Sequence, residues 1–263
     1  MKPFIHLHTH SNYTLGNSTL SIEQLVNAVK ADGATATALV DSGTIAGYPE
    51  FTRACSDAGI QPIYGYGAYL AKGSHTAPQG RTHLVMLAFN PQGLENIKTL
   101  DHIAQSSGLH GGKAHIDDAL LAEHKEGLIV LTGGLGGEID KLIVADELDA
   151  ATERARFFQT LFGANFYLEL QDHGSTKNQK AIAGLLAISK ATGIPTLVSQ
   201  GAFYLKCSDA NGCNTLREGN GNKLLKGEQY HLRTSAEMYE TFAAYPDALE
   251  NSARVAQQCL AFK

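Results

Sequence analysis

The chain has 263 residues, of which 43% are hydrophobic and 18% are charged, and its formal net charge is −5. This composition is typical of a globular protein and excludes a disordered chain. The negative charge gives no general attraction to nucleic-acid phosphates, so we expect DNA to be contacted only through a larger assembly.

Four scattered cysteines lack C-x-x-C spacing, and the amino-terminal residues contain no apolar core of a signal peptide. Together they predict a reduced, cytoplasmic protein. No apolar run approaches the roughly eighteen residues that a membrane helix needs, so no membrane contact is expected.

Short β-rich runs alternate with amphipathic helical runs along most of the chain, which predicts parallel strands joined by crossover helices. The predicted strands are 3–9, 36–40, 61–70, 83–90, 127–133, 165–171 and 194–200. The predicted helices begin near Ser21, Tyr48, Pro91, Ile116 and Ser175, and the stretch 133–163 is predicted to be a glycine-rich turn followed by helices. The polar, glycine-rich stretch 106–115 is predicted to be a loop.

From Cys207 onward the pattern changes to three helical segments, two of which start at the capping signals Ser235 and Pro246. We therefore expect one domain over 1–263. It would consist of a barrel at about 3–206 and a helical appendix at about 207–263.

Three histidines, His6, His8 and His10, occupy alternate positions at the end of the first predicted strand. Alternate strand residues face one side, and functional groups of parallel barrels gather where strands end. Two imidazoles at alternate positions of a strand end can hold a metal ion. The alternative is a set of hydrogen-bonded histidines without metal.

Eight segments resemble, in order and at matching distances, the PHP (polymerase and histidinol phosphatase) domain of bacterial DNA polymerase III alpha subunits. They are "HLHTHSNYTL", "ALVDSGTIAG", "AGIQPIYGYGAYL", "HLVMLAFN", "EGLIVLTGGLGGEI", "NFYLELQDHG", "GIPTLVSQGAFYL" and "FAAYPDALENSARVAQQC". The resemblance runs from Phe4 to Cys259. It implies an α/β fold, a distorted (β/α)7 TIM-like barrel, with metals held by nine ligands at its mouth in active members.

Matched position by position, the resemblance retains three metal ligands, namely His8, His10 and His83. The other six ligand positions carry Asn17, Ser42, Gly67, Gly134, Gly201 and Phe203. Every carboxylate is lost, and clustered catalytic metals need anionic bridging ligands. We therefore expect no metal cofactor. The alternative is one zinc or manganese on the three imidazoles, with Asp41, Asp172 or His173 as a fourth ligand.

The resemblance implies a parent DNA-directed DNA polymerase with a PHP phosphoesterase domain, and we expect this chain itself to be inactive. Its expected role is structural, with other polymerase domains and a proofreading exonuclease subunit as partners. One alternative is a metal-dependent phosphoesterase or exonuclease with a mononuclear site. Another is an isolated or redesigned barrel whose emptied pocket accepts a small ligand.

For several further groups of residues, an ordinary structural role is the favoured interpretation. The run "GGLGGE" (133–138) lacks the lysine of a phosphate-binding loop and predicts a strand-to-helix turn. A solvated surface is expected for the basic residues Arg217, Lys223, Lys226 and Arg233, with a DNA or partner contact as the alternative. Surface positions are expected for His102, His110, His115 and His124. Barrel packing is expected for Tyr64, Tyr66, Tyr69 and Phe203.

Overall fold

In the computed structural model, which describes residues 2–261, eight strands form one mixed sheet surrounded by helices. The strands are β1 (Ala36–Leu39), β2 (Gln61–Ala71), β3 (Arg81–Ala88), β4 (Leu109–His110), β5 (Lys113–Ile116), β6 (Leu128–Leu131), β7 (Phe166–Leu170) and β8 (Thr196–Val198). The helices are α1 (Ile22–Ala31), α2 (Tyr48–Ala58), α3 (Pro91–Ser107), α4 (Asp118–Glu123), α5 (Glu138–Val144), α6 (Leu148–Phe162), α7 (Thr176–Thr192), α8 (Ala210–Gly219), α9 (Ser235–Thr241) and α10 (Pro246–Leu260). This confirms the α/β class.

Local signals account for where the helices begin and end. Ser21 and Gln24 form a reciprocal capping box at the start of α1. Asn90 caps α3 through a hydrogen bond from the backbone of Gly93, and Pro91 follows in the first turn. Gly59 ends α2 at a φ of 72°, a left-handed conformation that glycine adopts without a steric cost. The predicted helix starts are confirmed where such caps exist.

The strand order is β4-β5-β2-β3-β6-β7-β8, with β1 beside β2. Strand β3 runs antiparallel to both β2 and β6, whereas the other neighbours, apart from the β4–β5 hairpin, are parallel. The expectation of parallel strands throughout is therefore wrong at β3. No helix lies between β2 and β3, so the chain reverses through residues 72–80 and pairs with the strand it has just left.

The sheet is not closed into a barrel. The predicted first strand, 3–9, is an extended segment without regular strand pairing, and it lies between β1 and residue 202. Its backbone joins these neighbours by isolated hydrogen bonds: Ala38 N to His6 O (2.8 Å), Val40 N to Thr9 O (2.8 Å) and His10 N to Ala202 O (3.0 Å). A regular strand needs a continuous ladder of such bonds, so the prediction of a regular strand at 3–9 is wrong. The distorted TIM-like barrel stays a prediction.

The predicted loop at 106–115 contains a small hairpin made by β4 and β5. Gly111 and Gly112 turn the chain at φ values of 56° and 70°, and β5 then pairs in parallel with β2. This pairing buries His115, which is only 3% exposed and is not the surface residue that the sequence predicts.

Alternate strand residues divide between two apolar clusters, as the two-residue period of a strand requires. Leu84 and Met86 of β3 join the larger cluster under the surrounding helices, whereas Val85 and Leu87 join the second. Helix α10 packs Val255 into that second cluster. The division into a barrel and a helical appendix stays a prediction. Within residues 2–261, no helix combines the length and apolar character needed to cross a membrane.

Candidate functional site

A pocket of about 640 Å³ gathers most of the residues that the sequence singled out. His8, His10 and His83 line it, together with five of the six replaced ligand positions: Asn17, Ser42, Gly67, Gly201 and Phe203. The sixth, Gly134, lies behind the wall next to Gln171. The predicted site residues are therefore brought together, although the sheet that carries them differs from the predicted one.

The inner wall of the pocket is built around Glu169, a carboxylate on β7 that is fully buried. Its Oε1 accepts hydrogen bonds from His8 Nδ1 (2.8 Å), from the Ser199 hydroxyl and from Gln171 Nε2 (3.2 Å). Its Oε2 accepts from the backbone of Gly133 at 2.9 Å. We call the group His8, Glu169, Gln171 and Ser199 the polar floor.

Electrostatics within the polar floor favour an ionised carboxylate. Burial alone would raise the pKa of Glu169, but His8 and the hydrogen bonds from His8, Ser199 and Gly133 hold that pKa below its usual value. His8 therefore donates to Glu169 and, in its protonated form, is also its charge partner. A buried carboxylate so completely paired needs no cation from solution.

Gln171 occupies the space that two former ligands would need. A Cβ atom at Gly134 would lie 2.3 Å from Gln171 Oε1, and one at Gly201 would lie 3.3 Å from Gln171 Nε2. Gly134 also has a φ of 60°, which side chains rarely adopt. Gly134 and Gly201, two of the former ligand positions, thus hold an amide side chain between them.

Two of the retained histidines, His10 and His83, are held neutral, and His10 contacts His8. His8 Nε2 and His10 Nε2 share a hydrogen bond of 3.1 Å. Burial and the neighbouring His8 and His83 keep the pKa of His10 well below its usual value. Burial and nearby lysine and arginine charges lower the pKa of His83 to about 3. The imidazoles of His10 and His83 therefore remain uncharged at neutral pH.

The three residues predicted as a fourth ligand have different surroundings. Asp41 is buried and accepts hydrogen bonds from Ser11 and Thr14. Asp172 accepts from the backbone of Gly174 and from Gln179. His173 does line the pocket, but its Nδ1 lies 2.9 Å from the Gln229 carbonyl and its Nε2 lies 3.3 Å from Gln171 Oε1.

The donor set in this arrangement does not fit a metal ion. Both ring nitrogens of His8 are engaged, one with Glu169 and one with His10. Between residues 2 and 261, no group of three His, Cys, Asp or Glu side chains is placed so that it could hold a metal. The zinc or manganese alternative stays a prediction.

The opposite side of the pocket is cationic. Five basic residues line it, and we call them the cationic rim: Arg81, Lys113, Lys141, Arg217 and Lys223. The expected solvated surface is wrong for Arg217 and Arg233, which are 9% and 6% exposed. Arg233 instead donates a hydrogen bond to Gln200.

Sequence reasoning missed the polar floor apart from His8, and it missed three members of the cationic rim. A signal for Glu169 existed, because a carboxylate within the apolar run 166–170 must find a buried partner. No comparable signal marks Arg81, Lys113 or Lys141, since isolated basic residues near strand and helix ends are common.

The chain is similar in sequence to known proteins. A family model described as the PHP domain matches residues 6–173. The DNA polymerase III subunit alpha of Treponema pallidum is 34% identical over 271 residues, covering 97% of this chain and 23% of that protein. The same subunit of Borreliella burgdorferi is 32% identical over 274 residues, covering 99% of this chain and 24% of that protein. The chain thus spans about a quarter of the length of these curated relatives.

One solved structure is a two-domain protein from Bacteroides vulgatus containing a predicted PHP-like metal-dependent phosphoesterase. It is 12% identical, with a TM-score of 0.43, and the match covers 89% of this chain and 61% of that chain. A likeness at this level bears on neither the site nor its chemistry.

Proposed function

The chain belongs to the PHP domain family, and from that membership we propose that it is the PHP domain of a bacterial DNA polymerase III alpha subunit with a structural and docking role. In this proposal the open sheet and the segment 4–10 together represent a distorted TIM-like barrel. The domain supports the polymerase domains of a longer protein and docks a proofreading exonuclease. It does not itself hydrolyse phosphoesters.

The observation that carries the proposal is the state of the pocket at the former ligand positions. None of the six replacements is a carboxylate, and Gln171 stands where two ligands would project. Hydrolysis by clustered metals requires anionic ligands that offset the repulsion between cations, and a metal-bound water of lowered pKa. The residues present supply hydrogen bonds to one another instead.

A docking role is supported by the relatives and by the charge of the chain. The relatives are named as alpha subunits, and this chain covers about a quarter of them, so most of their length lies in other parts. The net charge of −5 argues against independent binding to DNA. Contacts with proteins are then the remaining way for this domain to act in replication.

The test is a metal and binding measurement on protein purified without chelators. We expect metal content at background by mass spectrometry and no metal-dependent hydrolysis of p-nitrophenyl phosphate. We also expect saturable binding of a purified bacterial proofreading exonuclease by surface plasmon resonance.

The variant His8→Ala/His10→Ala is compared with the control His102→Ala/His110→Ala. About one zinc or manganese per chain that only the first variant loses, with metal-dependent turnover, would overturn the proposal and favour the mononuclear phosphoesterase. That alternative draws on one observation, the 3.1 Å approach of two ring nitrogens, His8 Nε2 and His10 Nε2.

A further inference from the structure

We propose that Ser107, His75 and Asp117 form a second site, at which Ser107 acts as a nucleophile towards carboxylic esters without a metal ion. None of the three residues lines the pocket described above. The proposal goes beyond the docking role and does not depend on it. It rests on the geometry of three side chains, on the orientation of the His75 ring and on the exposure of Ser107.

The three side chains come from separate parts of the fold. Ser107 is the last residue of α3, His75 lies in the connection 72–80 between β2 and β3, and Asp117 is the N-cap of α4. The Ser107 hydroxyl oxygen lies 3.3 Å from His75 Nε2, and His75 Nδ1 lies 2.6 Å from Asp117 Oδ2. This order of hydroxyl, imidazole and carboxylate is that of a catalytic triad, which is recognised by geometry rather than by sequence position.

Asp117 determines which nitrogen of His75 faces Ser107. Its Oδ2 accepts from His75 Nδ1 and from the His75 backbone at 2.9 Å, and its Oδ1 accepts from the backbone of Leu120 at 3.0 Å. Burial alone would raise the pKa of Asp117, but these hydrogen bonds hold that pKa below its usual value. An ionised carboxylate only accepts hydrogen bonds. The neutral ring therefore carries its proton on Nδ1 and presents the lone pair of Nε2 to the hydroxyl.

A purely structural role explains only part of this arrangement. The contacts between His75 and Asp117 anchor the connection 72–80, but the contact with Ser107 is not needed for that. Four histidines lie within 4.0 Å of a carboxylate in the part of the chain that the structure describes. Among them, only His75 has a hydroxyl group at its second ring nitrogen. A base so placed and so oriented is what activates a serine.

The Ser107 hydroxyl is available for reaction because Ser107 is exposed. Its oxygen also lies 3.1 Å from the Ile103 carbonyl, four residues earlier in α3, so its proton has a second acceptor. Rotation about the Cβ–Oγ bond turns that proton towards His75 Nε2. Two residues further along, Leu109 is 54% exposed and offers an apolar surface to an acyl group.

The reaction follows from these roles. Ser107 Oγ attacks the ester carbonyl carbon while its proton passes to His75 Nε2, and the bond to the leaving oxygen then breaks as that oxygen takes the proton. Water attacks the acyl-serine in the same way, which releases the carboxylic acid and restores Ser107. Ser107 and His75 are the catalytic residues. Asp117 is a positioning residue because it acts through His75.

The test is covalent labelling of the intact chain with phenylmethylsulfonyl fluoride in chelator-containing buffer. Ser107 Oγ attacks the sulfur, the S–F bond breaks, fluoride leaves and the hydroxyl proton passes to His75. We expect one sulfonyl group per chain, located on Ser107 by tandem mass spectrometry. We also expect hydrolysis of p-nitrophenyl acetate that the labelling abolishes.

The matched control is the neighbouring serine. Ser106 is also exposed, and its oxygen lies 3.2 Å from the same Ile103 carbonyl, but it makes no contact with His75. Ser107→Ala should lower the rate of ester hydrolysis at least about tenfold. Ser106→Ala should change that rate less than about twofold. Melting temperatures show that both variants are folded.

Two further variants test the roles of the partners. His75→Ala should slow the labelling of Ser107 at least about tenfold, and added imidazole should restore part of the rate by acting as the base. Asp117→Asn should lower the maximal rate of labelling and leave the half-saturating concentration of the reagent unchanged, because Asp117 contacts His75 and not the reagent.

Three results would overturn the proposal. The first is a failure of the labelling or of the hydrolysis in buffer where trypsin is labelled. The second is equal labelling of Ser106. The third is a rate that His75→Ala leaves unchanged, or a loss that imidazole does not restore. Because metal is chelated and no exonuclease is present, none of these results bears on the docking proposal.

Discussion

The polar floor and the cationic rim face the same pocket, yet they satisfy their polar groups in opposite ways. In the polar floor, both oxygens of Glu169 accept hydrogen bonds from within the chain, and His8, in its protonated form, is its charge partner. In the cationic rim, Arg217 and its four companions have no carboxylate partner among the described residues. A buried polar group must be paired somewhere. The polar floor therefore serves stability, whereas no acidic group of the described residues offsets the charges of the cationic rim.

This contrast predicts where substitutions will cost stability and where they will not. The largest effect is expected in the polar floor. Replacing Glu169 by Ala removes the charge partner of His8 and leaves the donors of Ser199 and Gly133 without an acceptor. We expect the free energy of unfolding to fall by about 3–5 kcal/mol, measured by urea denaturation.

The matched control is Glu95→Ala, which removes an exposed carboxylate paired with Lys98. It should cost at most about 1 kcal/mol. Equal losses in the two variants would show that the polar floor has no special role in stability. Glu169→Gln, which keeps the shape of the side chain, should lie between the two.

The second prediction tests whether the polar floor has displaced the former ligands. Gly134→Cys should destabilise the protein by about 2–3 kcal/mol, because φ is 60° and the new Cβ meets Gln171 Oε1 at 2.3 Å. Adding Gln171→Ala should relieve the contact, so that the double variant is about 1 kcal/mol more stable than the sum of single effects.

Gly59→Cys provides the control for backbone strain alone. Gly59 has a φ of 72°, and a Cβ there would meet nothing within 4 Å. Its expected cost is about 1–2 kcal/mol. Additive effects of Gly134→Cys and Gln171→Ala would contradict the view that Gln171 fills the place of a lost ligand.

A third prediction concerns pH. Burial lowers the pKa of His173 to about 4 in the folded protein, against 6.5 when exposed. The unfolded chain therefore binds the proton first as the pH falls. The stabilisation is complete above pH 6.5 and is lost progressively as the pH falls from 6.5 towards 4.

Between pH 6 and 4.5, His173→Gln should reduce the pH dependence of the unfolding free energy by roughly 1 kcal/mol per pH unit. The exposed His102, replaced in the same way, should leave that dependence unchanged. Parallel profiles for wild type and His173→Gln would show that His173 is not held neutral by the fold.

The smallest effect is expected in the cationic rim. Arg81→Gln/Lys113→Gln should change the unfolding free energy by no more than about 0.5 kcal/mol, because it removes mutual repulsion and breaks no ion pair. Urea denaturation without added anion measures this. A loss above about 1 kcal/mol would mean that these charges stabilise the fold and would remove the contrast with the polar floor.

Most helices and strands could be predicted from sequence because their signals are local. The capping box at Ser21 and the proline at Pro91 each specify a helix start by a signal that spans no more than four residues. The direction of β3 has a sequence signal, because no helix is predicted between the strands 61–70 and 83–90 and parallel neighbours need a longer crossover connection. The irregular form of segment 4–10 has no such signal, because its pairing depends on partners far away in the chain.

The residues of the candidate site also divide into those that local sequence signals predict and those that only the tertiary fold brings together. The meeting of His8 and His10 follows from the two-residue period of an extended chain, and His83 joined them through the resemblance. Glu169 carries a usable signal, because it is a charged residue within an apolar run. Arg81 and Lys223 of the cationic rim lie far apart in the sequence. Only the tertiary fold shows that they line the same pocket.

The extended segment 4–10 has a consequence for how the chain is made. Phe4 donates to Ser235, 231 positions later, and His6 lies against the carbonyl of Arg233, 227 positions later. During synthesis these partners do not exist until more than 220 further residues have been translated. The segment 4–10 therefore waits for its native contacts longer than residues whose partners lie close by in the chain, and its histidines have no native partners until then.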